Sequence, residues 1–282
     1  MKYGVVGTFG PAVDMVELAV LAENTGWDGF FTWDGISVGA METFDPWVML
    51  GAVATRTQRI TVGAMVFALA RRQPWKVARE ALTVDQLSGG RLVLPVGLGA
   101  VDDAAFSRVS GAPKDRRARA ELLDETLEFL EKAWSGETFS YQGVHHYATD
   151  VLFQPRPIAQ PRIPVWAVAA YPAPKSMARA LRWDGALPLR TDRPPMTPLE
   201  PSDVREIAAW IAEQRAADQQ DSAFEVVVEG KSPTDRAVAA ARMAEFADAG
   251  ATWWIESHWD GPSANPAGLR ALIGAGPPGA AG

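Results

Sequence analysis

The clearest indication of the fold is the stretch Leu87-Ser88-Gly89-Gly90-Arg91-Leu92-Val93-Leu94-Pro95-Val96-Gly97-Leu98-Gly99. The paired glycines end a helical pattern, because glycine adopts the left-handed conformation that closes a helix. The apolar residues that follow predict a buried strand, which ends in Gly97-Leu98-Gly99. Small residues at a strand end let a planar ligand or an anion approach the backbone closely. The stretch therefore predicts a helix, a strand and a ligand-binding turn in succession.

Short apolar strands alternate with helices on both sides of this stretch. Eight strands are predicted, near residues 3–9, 30–33, 60–66, 92–96, 165–169, 186–187, 224–228 and 252–257. Parallel strands need crossover helices, and eight such units close a barrel. We therefore predict an α/β fold, the (β/α)8 TIM barrel. An open, doubly wound sheet is the alternative, but the first strand is not followed by the Gly-x-Gly-x-x-Gly turn of such folds.

Length and composition set further bounds. The chain of 282 residues suits a single barrel domain over residues 1–282, with a hairpin insertion near 138–150, a long loop at 188–201 and a flexible tail at 274–282. It has no cysteine, which excludes disulfides and thiol chemistry. The net charge of −7 argues against nucleic acid as a partner. No signal peptide or membrane span is evident, so we expect a cytoplasmic protein.

Five segments resemble the luciferase-like monooxygenase family, in the order that the family shows. They are residues 22–31 (AENTGWDGFF), 71–80 with 85–91 (RRQPWKVARE and DQLSGGR), 154–157 through 164–166 (QPRP and PVW), 182–185 (RWDG) and 249–254 (AGATWW). The resemblance extends from about Lys2 to Pro262. It implies the same barrel, with insertions near the carboxyl ends of the strands, and an oxidoreductase that uses a flavin or the deazaflavin F420.

The resemblance leaves three functions open. The first is a monooxygenase or oxidoreductase that uses reduced FMN and oxygen on a small organic substrate, with a separate flavin reductase as partner. The second is F420-dependent hydride transfer without oxygen. The third is a non-catalytic flavin-binding protein on the same barrel. The family resemblance also implies a homodimer, for which Trp47, Met49 and Trp75 are candidate contact residues.

Cofactor-binding residues are expected where the strands end, since barrel enzymes place their sites there. This set is mostly small or apolar, which suits a flat ring. Its members are Phe9, Trp33, Ala64, Met65, Gly97, Leu98, Gly99, Ala170, Tyr171 and Lys175. By resemblance, Ala64-Met65 is the place of a cis peptide bond behind the ring, and Lys175 is a candidate phosphate partner.

Three residues at strand ends are candidate catalytic groups: Asp34, Glu256 and His258. Asp34 is either a cofactor or substrate contact or a cap on the following turn. Glu256 and His258 are two residues apart, so they share one face, and they form either an inward proton relay or a surface pair. No metal site is predicted.

Two positions depart from the family pattern. Gly35 stands where many relatives have a histidine after the aspartate, and Leu98 stands where some flavin-binding relatives have a basic residue. Mechanisms that depend on that histidine are therefore in doubt for this chain.

Overall fold

The computed structural model describes residues 1–279 apart from residues 101, 110, 112, 114, 196 and 262. Its strands are β1 (Lys2–Val6), β2 (Gly29–Thr32), β3 (Thr61–Ala64), β4 (Leu94–Val96), β5 (Phe139–Gln142), β6 (Tyr147–Val151), β7 (Val165–Tyr171), β8 (Gly185–Arg190), β9 (Glu225–Gly230) and β10 (Trp253–Glu256). Its α-helices are α1 (Ala12–Asn24), α2 (Pro46–Arg56), α3 (Pro74–Ser88), α4 (Ala104–Ser107), α5 (Arg116–Ala133), α6 (Pro174–Leu181), α7 (Pro201–Ala217), α8 (Arg236–Asp248) and α9 (Pro266–Gly274). The chain divides into a terminal unit, Met1–Phe31 with Val165–Gly282, and a middle unit, Thr32–Pro164.

The terminal unit is a parallel sheet in which β1 pairs with both β2 and β10, β10 with β9, β9 with β8, and β8 with β7. One face of this sheet carries a cluster of aromatic rings, Phe31, Trp166 and Trp253, whose centroids lie 5.3–6.3 Å apart. We call it the inner face. The opposite, outer face packs against helices, as shown by Trp254, whose ring lies 4.9 Å from that of Phe246 on α8.

The middle unit contains β3 and β4, which meet through parallel bridges at Val62–Leu92 and Phe67–Val96. Single residues mark two of its helix ends. The Asp45 carboxylate accepts hydrogen bonds from the amides of Trp47 and Val48 and so caps α2. The third helix, α3, ends at Gly89, which has a left-handed φ of 67°.

The strands β5 and β6 form an antiparallel hairpin in the region predicted to be an insertion. Glu125 of α5 anchors its turn, because the Glu125 carboxylate accepts hydrogen bonds from the amides of Val144, His145 and His146. This contact fixes the hairpin to the helix on which it lies.

Several details differ from the sequence-based expectations. Strand β8 continues to Arg190, so the loop begins later than residue 188. Residues 275–279 of the predicted tail are packed in part: Pro277 and Pro278 are buried, and Arg236 donates to the carbonyls of Ala275 and Pro277. Residues 280–282 lie outside the described part of the chain.

The three residues predicted as dimer contacts differ in their exposure. Trp47 and Met49 are buried within the middle unit, where Trp47 stacks on Phe67 at 4.3 Å. Of the three residues, Trp75 alone presents a large surface, with 47% of it exposed. None of the described helices is both long enough and apolar enough to span a bilayer.

Candidate functional site

The carboxyl ends of β9 and β10 in the terminal unit bring several polar side chains together. Parallel partners share a face, and Ile255 pairs with Glu229, whereas Trp254 pairs with Val228. Because Trp253 lies on the inner face and Trp254 on the outer face, Glu229 belongs to the inner face and Glu256 to the outer one. The register thus places Glu229 and Glu256, which lie at the ends of neighbouring strands, on opposite faces of the sheet.

Glu256 and His258 form the pair that the sequence predicts, with His258 Nε2 2.6 Å from Glu256 Oε1. The Glu256 carboxylate also accepts hydrogen bonds from the Ser232 amide, at 2.9 Å, and from the Trp254 indole, at 2.8 Å. The Glu256 side chain is fully buried. The inward proton relay is therefore not what the structure shows; the pair lies on the helix side of the strand and holds the loop after β9.

Glu229 is an acid of a different kind. Its side chain is exposed to solvent, yet burial among protein atoms raises its pKa, and the polar groups of Ser257 and Trp259 oppose that rise without cancelling it. Together these features describe a carboxyl group in a recess. The sequence places Glu229 directly after a predicted strand, but only the strand register shows that it faces inward.

The aromatic side of this recess is formed by Phe9, which follows β1, and Trp259, which follows β10. Their rings meet edge to face, with centroids 6.5 Å apart, and both are partly exposed. The Thr8 hydroxyl donates to the carbonyl of His258 at 3.0 Å and so ties the two segments together. Phe9 is thus placed where an apolar contact with a ligand is possible.

The predicted cofactor residues at the end of β7 and in the loop after it differ in the face that they occupy and in their hydrogen bonds. Ala170 shares the inner face with Trp166, but its amide already donates to Ser176 Oγ at 3.0 Å. The Tyr171 hydroxyl donates to Glu206 on α7 at 3.0 Å, so the Tyr171 side chain lies on the outer face. Lys175 is exposed in the first turn of α6, whose start has no side-chain cap.

In the middle unit, Asp34 is the centre of a buried ion-pair network. Its carboxylate lies 2.6 Å from Arg72 Nη2 and 2.8 Å from Arg71 Nη2, and it accepts a hydrogen bond from the Ala68 amide at 3.0 Å. The Asp34 side chain has no exposed surface. Both carboxylate oxygens thus bind groups of the protein, and these contacts tie Asp34 to the segment after β3.

Asp103 extends this network through Arg71, whose Nη1 is 2.7 Å from Asp103 Oδ2. Burial alone would raise the pKa of Asp103, but its hydrogen bonds to three backbone amides and to Arg71 lower the pKa below its usual value. The three amides are those of Ala105, Ile36 and Ser37. Arg71 and Arg72 are thus neutralised by carboxylates of the protein.

Gly35 leaves room for an aromatic ring. A Cβ atom at Gly35 would lie 2.1 Å from the ring of Trp33, so Trp33 occupies the volume that a side chain at position 35 needs. The departure from the family's histidine is therefore built into the packing. Trp33 itself is partly exposed and remains a candidate ring contact.

The cis peptide bond predicted after β3 is present one residue later than expected, between Met65 and Val66. Ala64 is fully buried and Met65 is 7% exposed.

The glycine-rich end of β4 has a local explanation. At Gly99, which has a φ of 79°, a Cβ atom would lie 2.4 Å from the Phe106 ring. Gly97 is buried, and Leu98 is partly exposed beside it.

Comparison with known proteins agrees with this architecture. The sequence model of the luciferase-like monooxygenase family matches residues 4–264. An F420-dependent glucose-6-phosphate dehydrogenase of Nakamurella multipartita is 31% identical over 177 residues, which is 60% of this chain and 50% of that protein. The chain thus spans about half the length of the curated relatives it matches.

Two solved structures show the fold. An F420-dependent secondary alcohol dehydrogenase, solved with an F420–acetone adduct, superposes with a TM-score of 0.79 at 14% identity over 99% of both chains. The monooxygenase RslO1 of Streptomyces bottropensis gives a TM-score of 0.70 at 22% identity over 88% of this chain and 77% of its own.

These findings define an α/β barrel, and the TIM-barrel prediction is confirmed. The chain belongs to the luciferase-like monooxygenase family. The resemblance found in the five sequence segments is thereby confirmed as well.

Proposed function

We propose that this protein is an F420-dependent oxidoreductase that transfers a hydride between the deazaflavin and an alcohol or carbonyl carbon of a small organic substrate. The observation that carries the proposal is sequence similarity to F420-dependent glucose-6-phosphate dehydrogenases, 31% identical in Nakamurella multipartita and 34% in Amycolatopsis mediterranei. The fold match over 99% of an F420-dependent secondary alcohol dehydrogenase is consistent with it.

The residues at the strand ends of the middle unit fit a flat, apolar ring. Trp33, Met65 and Leu98 follow three successive strands, and each presents an apolar side chain that is at most partly exposed. Such side chains exclude water and position a ring, while a deazaflavin supplies the hydride chemistry. The buried ion pairs of Asp34 with Arg71 and Arg72 keep the loops that carry these residues in place.

In the terminal unit, we propose that Phe9 and Ala170 contact the cofactor or substrate and that Lys175 binds a phosphate group of the cofactor. Tyr171 is a weaker candidate, since its hydroxyl is engaged with Glu206 on the outer face. Asp34, Glu256 and His258 act in this proposal through the loops that they hold, not through contact with the substrate.

A monooxygenase that uses reduced FMN is the second candidate, because the matching family is described as luciferase-like monooxygenase. It would require a separate flavin reductase. A homodimer and a cytoplasmic location stay predictions.

The test is a pair of turnover assays on the purified protein. Under anaerobic conditions, oxidised F420 is mixed with glucose 6-phosphate or 2-propanol, and the loss of its absorbance is followed. In parallel, reduced FMN and oxygen are supplied with the corresponding ketone or an aldehyde. We expect substrate-dependent reduction of F420 and no substrate oxygenation with FMN; the reverse pattern would establish the second candidate instead.

A further inference from the structure

The carboxyl group of Glu229 stands apart from the other acids at the strand ends. Asp34 is held by two arginines, and Glu256 is held by Trp254, Ser232 and His258. By contrast, no ion pair to Glu229 is found among the residues that the structure describes. Glu229 is also exposed, whereas the side chains of Asp34 and Glu256 have no exposed surface.

The position of Glu229 makes it accessible from the inner face of the sheet. It lies at the carboxyl end of β9, opposite Ile255 and on the same face as Trp253. Two residues after Ile255, Ser257 continues this face, and its buried side chain and that of Trp259 both act to lower the pKa of Glu229 against the effect of burial. Trp259 and Phe9 provide an apolar side to the recess.

Charged groups near this acid are few. On the inner face, Lys2 and Glu225 pair with each other at 3.3 Å, at the opposite end of the strands from Glu229. Arg190 at the end of β8 is bound by Asp192 and Glu206. Lys231, two residues after Glu229, pairs with Asp260. The protein atoms that crowd the Glu229 carboxyl group raise its pKa, and no charged group contributes to that shift.

We propose that Glu229 is the residue that exchanges a proton with the oxygen atom of the substrate. This inference rests on the proposed function. When an alcohol is oxidised, its C–H bond breaks and the hydride leaves to an oxidised deazaflavin. The O–H bond of the attached oxygen breaks, the proton passes to the Glu229 carboxylate, and the electron pair left on the oxygen forms the C=O bond. In the reverse direction, neutral Glu229 returns the proton to the oxygen as a hydride reaches the carbon.

A carboxyl group with a raised pKa can accept a proton in one direction of the reaction and return it in the other, which is the property that acid–base catalysis requires.

The first test does not depend on turnover. Dicyclohexylcarbodiimide, an apolar reagent, reacts with carboxyl groups that are protonated and accessible. At one and the same pH, we expect peptide mapping by mass spectrometry to find more adduct on Glu229 than on Glu225, which lies on the same strand and face. An unlabelled Glu229 would overturn the inference. Loss of the adduct after preincubation with F420 would support it further.

The second test compares Glu229→Gln with Glu225→Gln as a matched control. Glutamine keeps the size of glutamate and one acceptor oxygen but cannot exchange the proton. We expect Glu229→Gln to bind F420 within about twofold of wild type and to lose at least about 100-fold in kcat, with Glu229→Asp restoring part of it. The control should keep wild-type kcat.

The outcomes separate the inference from the proposed function. Full activity of Glu229→Gln in a protein that reduces F420 would overturn the role of Glu229 alone. Failure of the wild-type protein to bind F420 would overturn the proposed function, whatever the labelling result, and with it the proton-transfer role in that reaction.

Discussion

Asp34→Asn is the substitution that best separates a structural role from a catalytic one. The asparagine can still accept the hydrogen bond from the Ala68 amide, but it cannot neutralise Arg71 and Arg72, whose side chains are 6% and 15% exposed. Removing one partner of a buried ion pair leaves an uncompensated charge and costs about 3–5 kcal/mol. Two charge-assisted hydrogen bonds of about 1.5–3 kcal/mol each give a similar figure.

Urea unfolding, followed by tryptophan fluorescence and circular dichroism, measures this loss. The control is Glu121→Gln, which removes an exposed ion pair with Arg117 and should leave the unfolding midpoint unchanged. A catalytic Asp34 would give the opposite pattern: near wild-type stability with turnover abolished. A loss of stability below about 1 kcal/mol would refute the network described here.

Three further substitutions test neighbouring features. Gly35→Ala places a methyl group 2.1 Å from the Trp33 ring, so we expect a displaced ring, visible in the indole NMR signal. The free energy of unfolding should fall by about 1–3 kcal/mol. Gly51→Ala is the control: its nearest neighbour is 3.9 Å away, so the substitution should be neutral or stabilising. Glu256→Gln turns an amide NH₂ towards one of the groups that contact the carboxylate, which are the Ser232 amide, the Trp254 indole and the His258 ring. The free energy of unfolding should fall by about 1–3 kcal/mol. A large fall in kcat without loss of stability would contradict the position of Glu256 on the outer face. Asp103 has a pKa below its unfolded value, so its contribution to folding stability is present at neutral pH and is lost as the pH falls through the folded pKa. The difference in unfolding free energy between wild type and Asp103→Asn should therefore be constant near pH 7 and shrink below about pH 4. A difference that grew in acid would contradict the sign of the shift.

The sequence predicts the architecture well because each element has its own local signal. Asp45 with Pro46 marks the start of α2, and Gly89 marks the end of α3, since capping and left-handed φ are properties of single residues. The resemblance in five short segments added the family. These signals are independent of how distant parts of the chain meet.

The site was harder to predict, because it depends on which face each side chain occupies. The two-residue spacing of Glu256 and His258 correctly predicts that they share a face with Trp254. It does not predict which face, and that is decided by the packing of Trp254 on Phe246. The same alternation places Glu229 on the inner face, opposite Ile255, but only after the register is known.

Asp34 shows a second limit. A strand-end carboxylate is a reasonable catalytic candidate, and nothing in its local sequence shows that Arg71 and Arg72, more than 30 residues later, fold back onto it. Likewise, Gly99 reads as a ligand-binding glycine, whereas the ring of Phe106 already requires it. Contacts between loops that are distant in sequence are the part that local patterns do not contain.

The affinity of the purified protein for the two cofactors is the most direct test of the proposal that this barrel is an F420 enzyme. Isothermal titration calorimetry with oxidised F420 and, separately, with FMN compares them under one set of conditions. We expect F420 to bind at least about tenfold more tightly than FMN, a difference of about 1.4 kcal/mol in binding free energy. Tight binding of FMN with no measurable binding of F420 would contradict it.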